Sequence, residues 1–80
     1  MMERDREFYP TGRGIRVANA RSQEWNSLSG DQKDALSYLV ENMGKEGPIS
    51  VLAIGMDLKN PDVLKVLSEL ERKGMAQEVG

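Results

Sequence analysis

Eighty residues carrying a net charge of −2, 30% of them charged and 39% apolar, make at most one small globular domain, near the lower size limit for a core without staples. Cysteine and histidine are both absent, which removes disulfides, thiol chemistry, Cys/His metal sites and the commonest general base. There is no apolar run long enough for a membrane span, no Gly-rich phosphate loop ending in Lys-Ser/Thr and no HExxH, so a binding protein without cofactor or metal is expected rather than an enzyme.

The opening stretch, MMERDREFYP, lacks the apolar segment of a signal peptide, which predicts a cytoplasmic protein. Residues 1–7 alternate in charge and are expected to fray. Tyr9-Pro10-Thr11-Gly12 reads as a turn, with proline second and glycine fourth. Residues 8–23 hold three arginines (Arg13, Arg16 and Arg21) and no acid, whereas residues 27–80 hold six basic residues against nine acidic ones. The chain thus divides into a locally basic arm, residues 1–26, and a mildly acidic body, residues 27–80. Within the arm, Ile15 and Val17 alternate with Arg16, a short strand signal over residues 14–19; a disordered arm fits the same residues as well. Trp25 and Leu28 are expected to anchor the start of the body.

Ser29 followed by Gln32 is a capping-box start. The helix it opens carries Ala35, Leu36, Leu39, Val40 and Met43 on one face, and Gly44 is placed to close it. Lys45-Glu46-Gly47-Pro48 then breaks the chain. Ser50 can cap a short helix over residues 51–57, with Val51, Leu52, Ile54 and Met56 apolar and Gly55 weakening it. So few turns need tertiary packing to persist.

Residues 60–74, NPDVLKVLSELERKG, form the clearest element. Asn60 reads as N-cap, Pro61 as first helical residue, Asp62 as the acid at the positive end, Arg72 and Lys73 as cations at the negative end, and Gly74 as the left-handed stop. Val63, Val66, Leu67 and Leu70 make one apolar stripe. After Gly74, residues 75–79 read as a short strand with Met75, Gln77 and Val79 facing one way.

Helix, break, Ile49-Ser50, short helix, tight turn, capped helix, glycine and short strand follow in the order of the winged helix-turn-helix superfamily, which residues 29–79 resemble. The residues carrying the likeness are Ile49-Ser50, then Leu52-Ala53-x-x-Met56-x-Leu58, then Val63-x-x-Val66-Leu67-x-x-Leu70-x-x-Lys73-Gly74-Met75. The resemblance implies a mainly α fold with a small β element: a three-helix helix-turn-helix core in which the Leu52-Ala53 pair and Leu58 lock the second helix onto the third, and Lys73-Gly74-Met75 launches the first wing strand. The chain departs from the pattern in three places. Asp57 stands where a turn glycine is usual, the segment between Ile49 and Leu52 is short, and no returning wing strand follows residue 79. Residues 65–80 look most like Zα-type domains, but Leu64 and Ser68 occupy the positions of that group's Asn and Tyr contacts and no Trp follows Trp25, so binding of left-handed nucleic acid is not carried over. With the wing truncated, residues 14–19 are expected to pair with the strand after Gly74, within the chain or by exchange in a dimer.

Two functions from different classes follow. In the first, the protein is a DNA-binding transcription regulator, acting as a homodimer. Helix 61–73 lies toward the groove of double-stranded DNA with Lys65, Ser68 and Arg72 outward, Lys59 and Lys73 reach phosphates, and Arg13, Arg16 and Arg21 of the arm add grip. In the second it is a protein-interaction module without nucleic-acid binding, whose partner meets Leu64, one step off the core stripe. All of these residues also fit an ordinary solvated helix face, and Asp62 and Glu69 oppose a phosphate backbone.

Overall fold

The computed structural model describes the backbone of residues 6–79, with the side chains of all but 43–46. Among these residues the order is β1 (Glu7–Pro10), α1 (Gly12–Ala20), α2 (Gln23–Asn26), α3 (Gly30–Glu46), β2 (Ile49–Ser50), α4 (Val51–Leu58), α5 (Val63–Arg72) and β3 (Ala76–Glu78). The fold is mainly helical, with one antiparallel sheet in the order β2-β1-β3. The alternating charges expected to fray over residues 1–7 fall mostly outside the described residues, as does Gly80.

The N-terminal segment does supply a strand beside β3, but residues 7–10 form it, not 14–19. Phe8 pairs with Ile49 on one side and Glu78 on the other, and Tyr9 and Pro10 pair with Gln77 and Ala76. Backbone bonds from Thr11 N–H to Met75 O and from Val79 N–H to Glu7 O point odd residues of β1 toward β3, whereas Val51 N–H donates to Arg6 O on the β2 side. Pro10 therefore directs its missing donor past the end of β2, where no partner is left waiting. The expected turn over residues 9–12 is accordingly absent: Tyr9 and Pro10 end a strand and Thr11 caps a helix.

That helix, α1, replaces the strand read over residues 14–19. Thr11 Oγ1 accepts from Gly14 N–H at 3.1 Å and donates to Gly74 O at 2.6 Å, so one hydroxyl starts the helix and ties it to the end of α5. The residues α1 buries are Gly14, Val17 and Ala18, a helical spacing that the Ile15/Val17 alternation hid. Gly14 is required by its setting, because a Cβ there would lie 2.0 Å from Met75 O. Trp25 and Leu28 are buried as expected.

In α3, Ser29 and Gln32 form the reciprocal capping box, Ser29 N–H donating to Gln32 Oε1 at 3.0 Å and Gln32 N–H to Ser29 Oγ at 3.2 Å. Ala35, Leu36 and Leu39 are buried and Val40 is half-buried; the Met43 side chain lies outside the described residues. Gly44 does not close this helix, which continues to Glu46 and stops where Gly47 adopts φ +75°. Ser50 caps α4 through Ala53 N–H at 3.1 Å. At α5 the start shifts by half a turn or more. Asn60 O accepts from Val63 N–H and Asn60 Oδ1 from Asp62 N–H at 2.9 Å, which makes 60–63 a turn with Pro61 second, and the helix proper begins at Val63. Its end is as expected: Gly74 adopts φ +78°, Gly74 N–H donates to Glu71 O and Met75 N–H to Leu70 O.

Phe8, Leu36, Leu39, Ile54, Leu67 and Leu70 form the fully buried centre, drawn from β1, α3, α4 and α5. The outer edge of β3 is covered by its own helix, since Glu71 Oε2 accepts from Glu78 N–H at 3.1 Å. Ala76 faces the core while Gln77 and Val79 are exposed, so Met75, which is buried, does not share their side.

Candidate functional site

Consecutive helices α4 and α5, joined through residues 59–62, present two surfaces of different chemistry. The first is polar. Sealing Val63, Val66, Leu67 and Leu70 inward leaves Lys65 and Arg72 exposed on α5, with Ser68 half-buried between them at helical spacing. Neither cation forms an ion pair with a described residue. Asp62 is exposed at the head of this stripe, whereas Glu69 is drawn aside, accepting from Gln32 Nε2 of α3 at 3.0 Å. Lys73 is exposed at the C-cap, where the helix dipole favours cations. Lys59 lies beyond the opposite end of α5, about 15 Å away by helix rise, so it shares no cluster with Arg72 and Lys73.

The three arginines expected on a basic arm sit on or at the end of α1 instead. Arg13 pairs with Glu24, and its Cδ lies 3.6 Å from where a Cβ on Gly74 would be, which brings it beside Lys73. Arg16 is exposed one turn on and makes no ion pair with a described residue. Arg21 adopts φ 49° and places its guanidinium 5.0 Å from the centre of the Trp25 ring, away from α5. Arg13 therefore lies by the C-terminal end of α5, with its charge shared with Glu24, whereas Arg16 is grouped with Ala20, Ser22 and Glu24 and Arg21 with Trp25.

The second surface is apolar, and sequence reasoning placed it in the core. Leu52 is 66% exposed and Met56 78%, and Ala53 is exposed with them. The expectation that Leu52-Ala53 lock α4 onto α5 is thus corrected: Ile54 is the buried residue of α4, with Val51 and Leu58 half-buried beside it. Gly55 allows the close approach, since a Cβ there would meet Asn60 O at 3.2 Å and Val63 Cγ1 at 3.3 Å. Positions 51, 54 and 58 are a helical stripe, and in an eight-residue helix 52 and 56 must then lie outside it; that spacing was the available signal. Between Leu52 and Met56 on one wall and Pro61 on the other runs an open groove of about 380 Å³. Leu64, the residue expected to meet a partner, is half-buried and packs against the core.

Asp57, which stands where a turn glycine was expected, accepts a hydrogen bond from the Tyr38 hydroxyl of α3. The left-handed position falls two residues later, on Lys59 at φ 53°, where Asn60 N–H returns to Gly55 O at 2.9 Å. On the sheet, Arg6 binds Glu78 through two nitrogens, at 2.6 and 2.7 Å, and these hydrogen bonds hold the Glu78 carboxyl below the usual carboxylate range.

Among the described residues no group of His, Cys, Asp or Glu is arranged to hold a metal, and no helix is long and apolar enough to cross a membrane. The chain matches no protein-family model, and neither the curated proteins nor the solved structures yield a match.

Proposed function

We propose that the chain is a DNA-binding module of winged helix-turn-helix type, of the kind used in transcription regulation, with α5 directed at the major groove. The observation that carries the reading is the stripe Lys65, Ser68 and Arg72 on the outer face of α5, whose two cations are exposed and make no ion pair with a described residue. The topology supports it: β1 pairs antiparallel with β3, as a returning wing strand would. Lys59 and Lys73 supply phosphate contacts at the two ends of the helix, and Arg13 lies by the second of them, while Arg16 and Arg21 have no part in the interface.

Titration with random duplex DNA tests this reading. Four phosphate contacts, from Lys59, Lys65, Arg72 and Lys73, give a slope of about −3.6 in log K against log salt, hence about a hundredfold loss of affinity between about 50 and 200 mM. Replacing Lys65 and Arg72 by alanine is expected to bring the slope to about −1.8. Absence of binding at the lower salt overturns the proposal. It would favour the second reading, a protein-interaction module without nucleic-acid binding, whose supporting observation is the exposed Leu52–Met56 face rather than Leu64.

A further inference from the structure

The α4 helix is apolar on every side, with Asp57 as its single charge, yet Ile54 is the residue it fully buries. A helix of that composition ordinarily has neighbours all round. Its outer face, carrying Leu52 and Met56, has none among the described residues. We propose that this face is covered by the same face of a second copy of the chain, in a twofold dimer.

Three features select a copy of itself over another occupant. A twofold interface demands that one surface hold both halves of each contact. Here Met56 stands proud immediately beside the groove that runs from α4 to Pro61, so each copy offers a knob and a hole on one patch. Methionine is unbranched and adapts to an irregular hollow, which suits it to that insertion. The rim is likewise self-complementary, since Lys59 and Asp62 are both exposed and flank Pro61 with opposite charge. Across the axis, Lys59 of one copy meets Asp62 of the other, twice over. Finally, Asp57, the one charge of α4, is engaged with Tyr38 of α3 and does not line the groove, so the groove itself carries no carboxylate, although the chain carries a net charge of −2.

The patch is small. Eight residues line the groove, against roughly 20–30 a side in a standard interface, so the dimer is a weak and reversible one. It forms without nucleic acid, and because it covers Lys59, which the DNA reading assigns to a phosphate, dimer and DNA compete for that residue.

Sedimentation equilibrium of the full chain over about 5 to 500 µM, the range suited to a small interface, tests the proposal. The mass is expected to rise from monomer toward dimer with concentration. Met56→Glu is expected to hold the chain at monomer mass through the same range, with its far-UV spectrum and low-concentration melting unchanged because the side chain is exposed. Lys59→Asp and Asp62→Lys are each expected to weaken the dimer about tenfold, and the double exchange to restore it. That rescue is particular to a copy pairing with itself. A wild-type chain that remains monomeric at the highest concentration, a Met56→Glu chain that still dimerises, or a double exchange no better than the single ones overturns the proposal.

Discussion

Helices α4 and α5 are neighbours in the chain and in space, and they meet the solvent in opposite ways. The α5 sequence, VLKVLSELER, has two faces; it buries Val63, Val66, Leu67 and Leu70 and turns Lys65, Glu71 and Arg72 to water. The α4 sequence, VLAIGMDL, has no polar face to offer. Its neighbours decide which residues are covered, and Leu52, Ala53 and Met56 are left over. Amphipathic pattern therefore specifies the burial of α5 by itself, whereas in α4 the disagreement between composition and exposure marks a face that lacks its cover.

Truncation gives the sharpest version of this contrast. Leu67→Ala, at a fully buried position, is expected to cost about 2–5 kcal/mol, and Met56→Ala less than about 0.5 kcal/mol, both read from urea unfolding at low protein concentration. Equal losses at the two sites would mean that the α4 face is already packed, and the comparison would collapse. The helix ends give a smaller contrast. Both close on a left-handed residue, Lys59 at φ 53° and Gly74 at φ 78°, but only the second is a glycine. Gly74→Ala is expected to lose about 1–2 kcal/mol. Lys59→Gly relieves a similar strain, offset by the greater freedom of an unfolded glycine, for a net gain of about 0.5–1 kcal/mol in thermal melts. The smallest effect lies in the strand that α5 launches. Because Arg6 holds the folded pKa of Glu78 below its unfolded value, the pair contributes stability that is present above the ordinary carboxylate range and lost as pH falls through the depressed value. Glu78→Gln is therefore expected to lower the melting temperature at neutral pH and to converge on the wild type in acid, once pH has fallen below the depressed value.

What could be read in the sequence is what local chemistry decides. The Ser29/Gln32 capping box, the Ser50 cap, the α5 stripe and its Gly74 stop each need only residues within a turn of one another. The same reasoning grouped Lys65, Ser68 and Arg72 by helical spacing. Phe8 was hidden because its burial depends on partners at Ile49 and Glu78, far along the chain, and nothing in a short charged stretch around one aromatic announces the middle strand of a sheet. Gly14 was equally opaque, since its necessity comes from Met75 O. The α1 arginines were seen as a free basic arm; the Glu24 partner of Arg13 belongs to the following helix and became visible only with the fold. Arg21 and Trp25 are four residues apart but lie on either side of a helix break, so helical spacing gave no reason to pair them.

The position of β1 also sets the order in which the protein can be completed. The strand is made before its partner, and its pairing on the β3 side waits for residues 76–78. Until then Phe8 has no closed core to enter, and the sheet beside the helices is unfinished. Such non-local closure slows folding relative to a bundle of the same size and exposes an apolar strand during synthesis. Folding of this molecule is thus expected to be gated by the meeting of β1 with β3, with the helices formed beforehand and the sheet joined last.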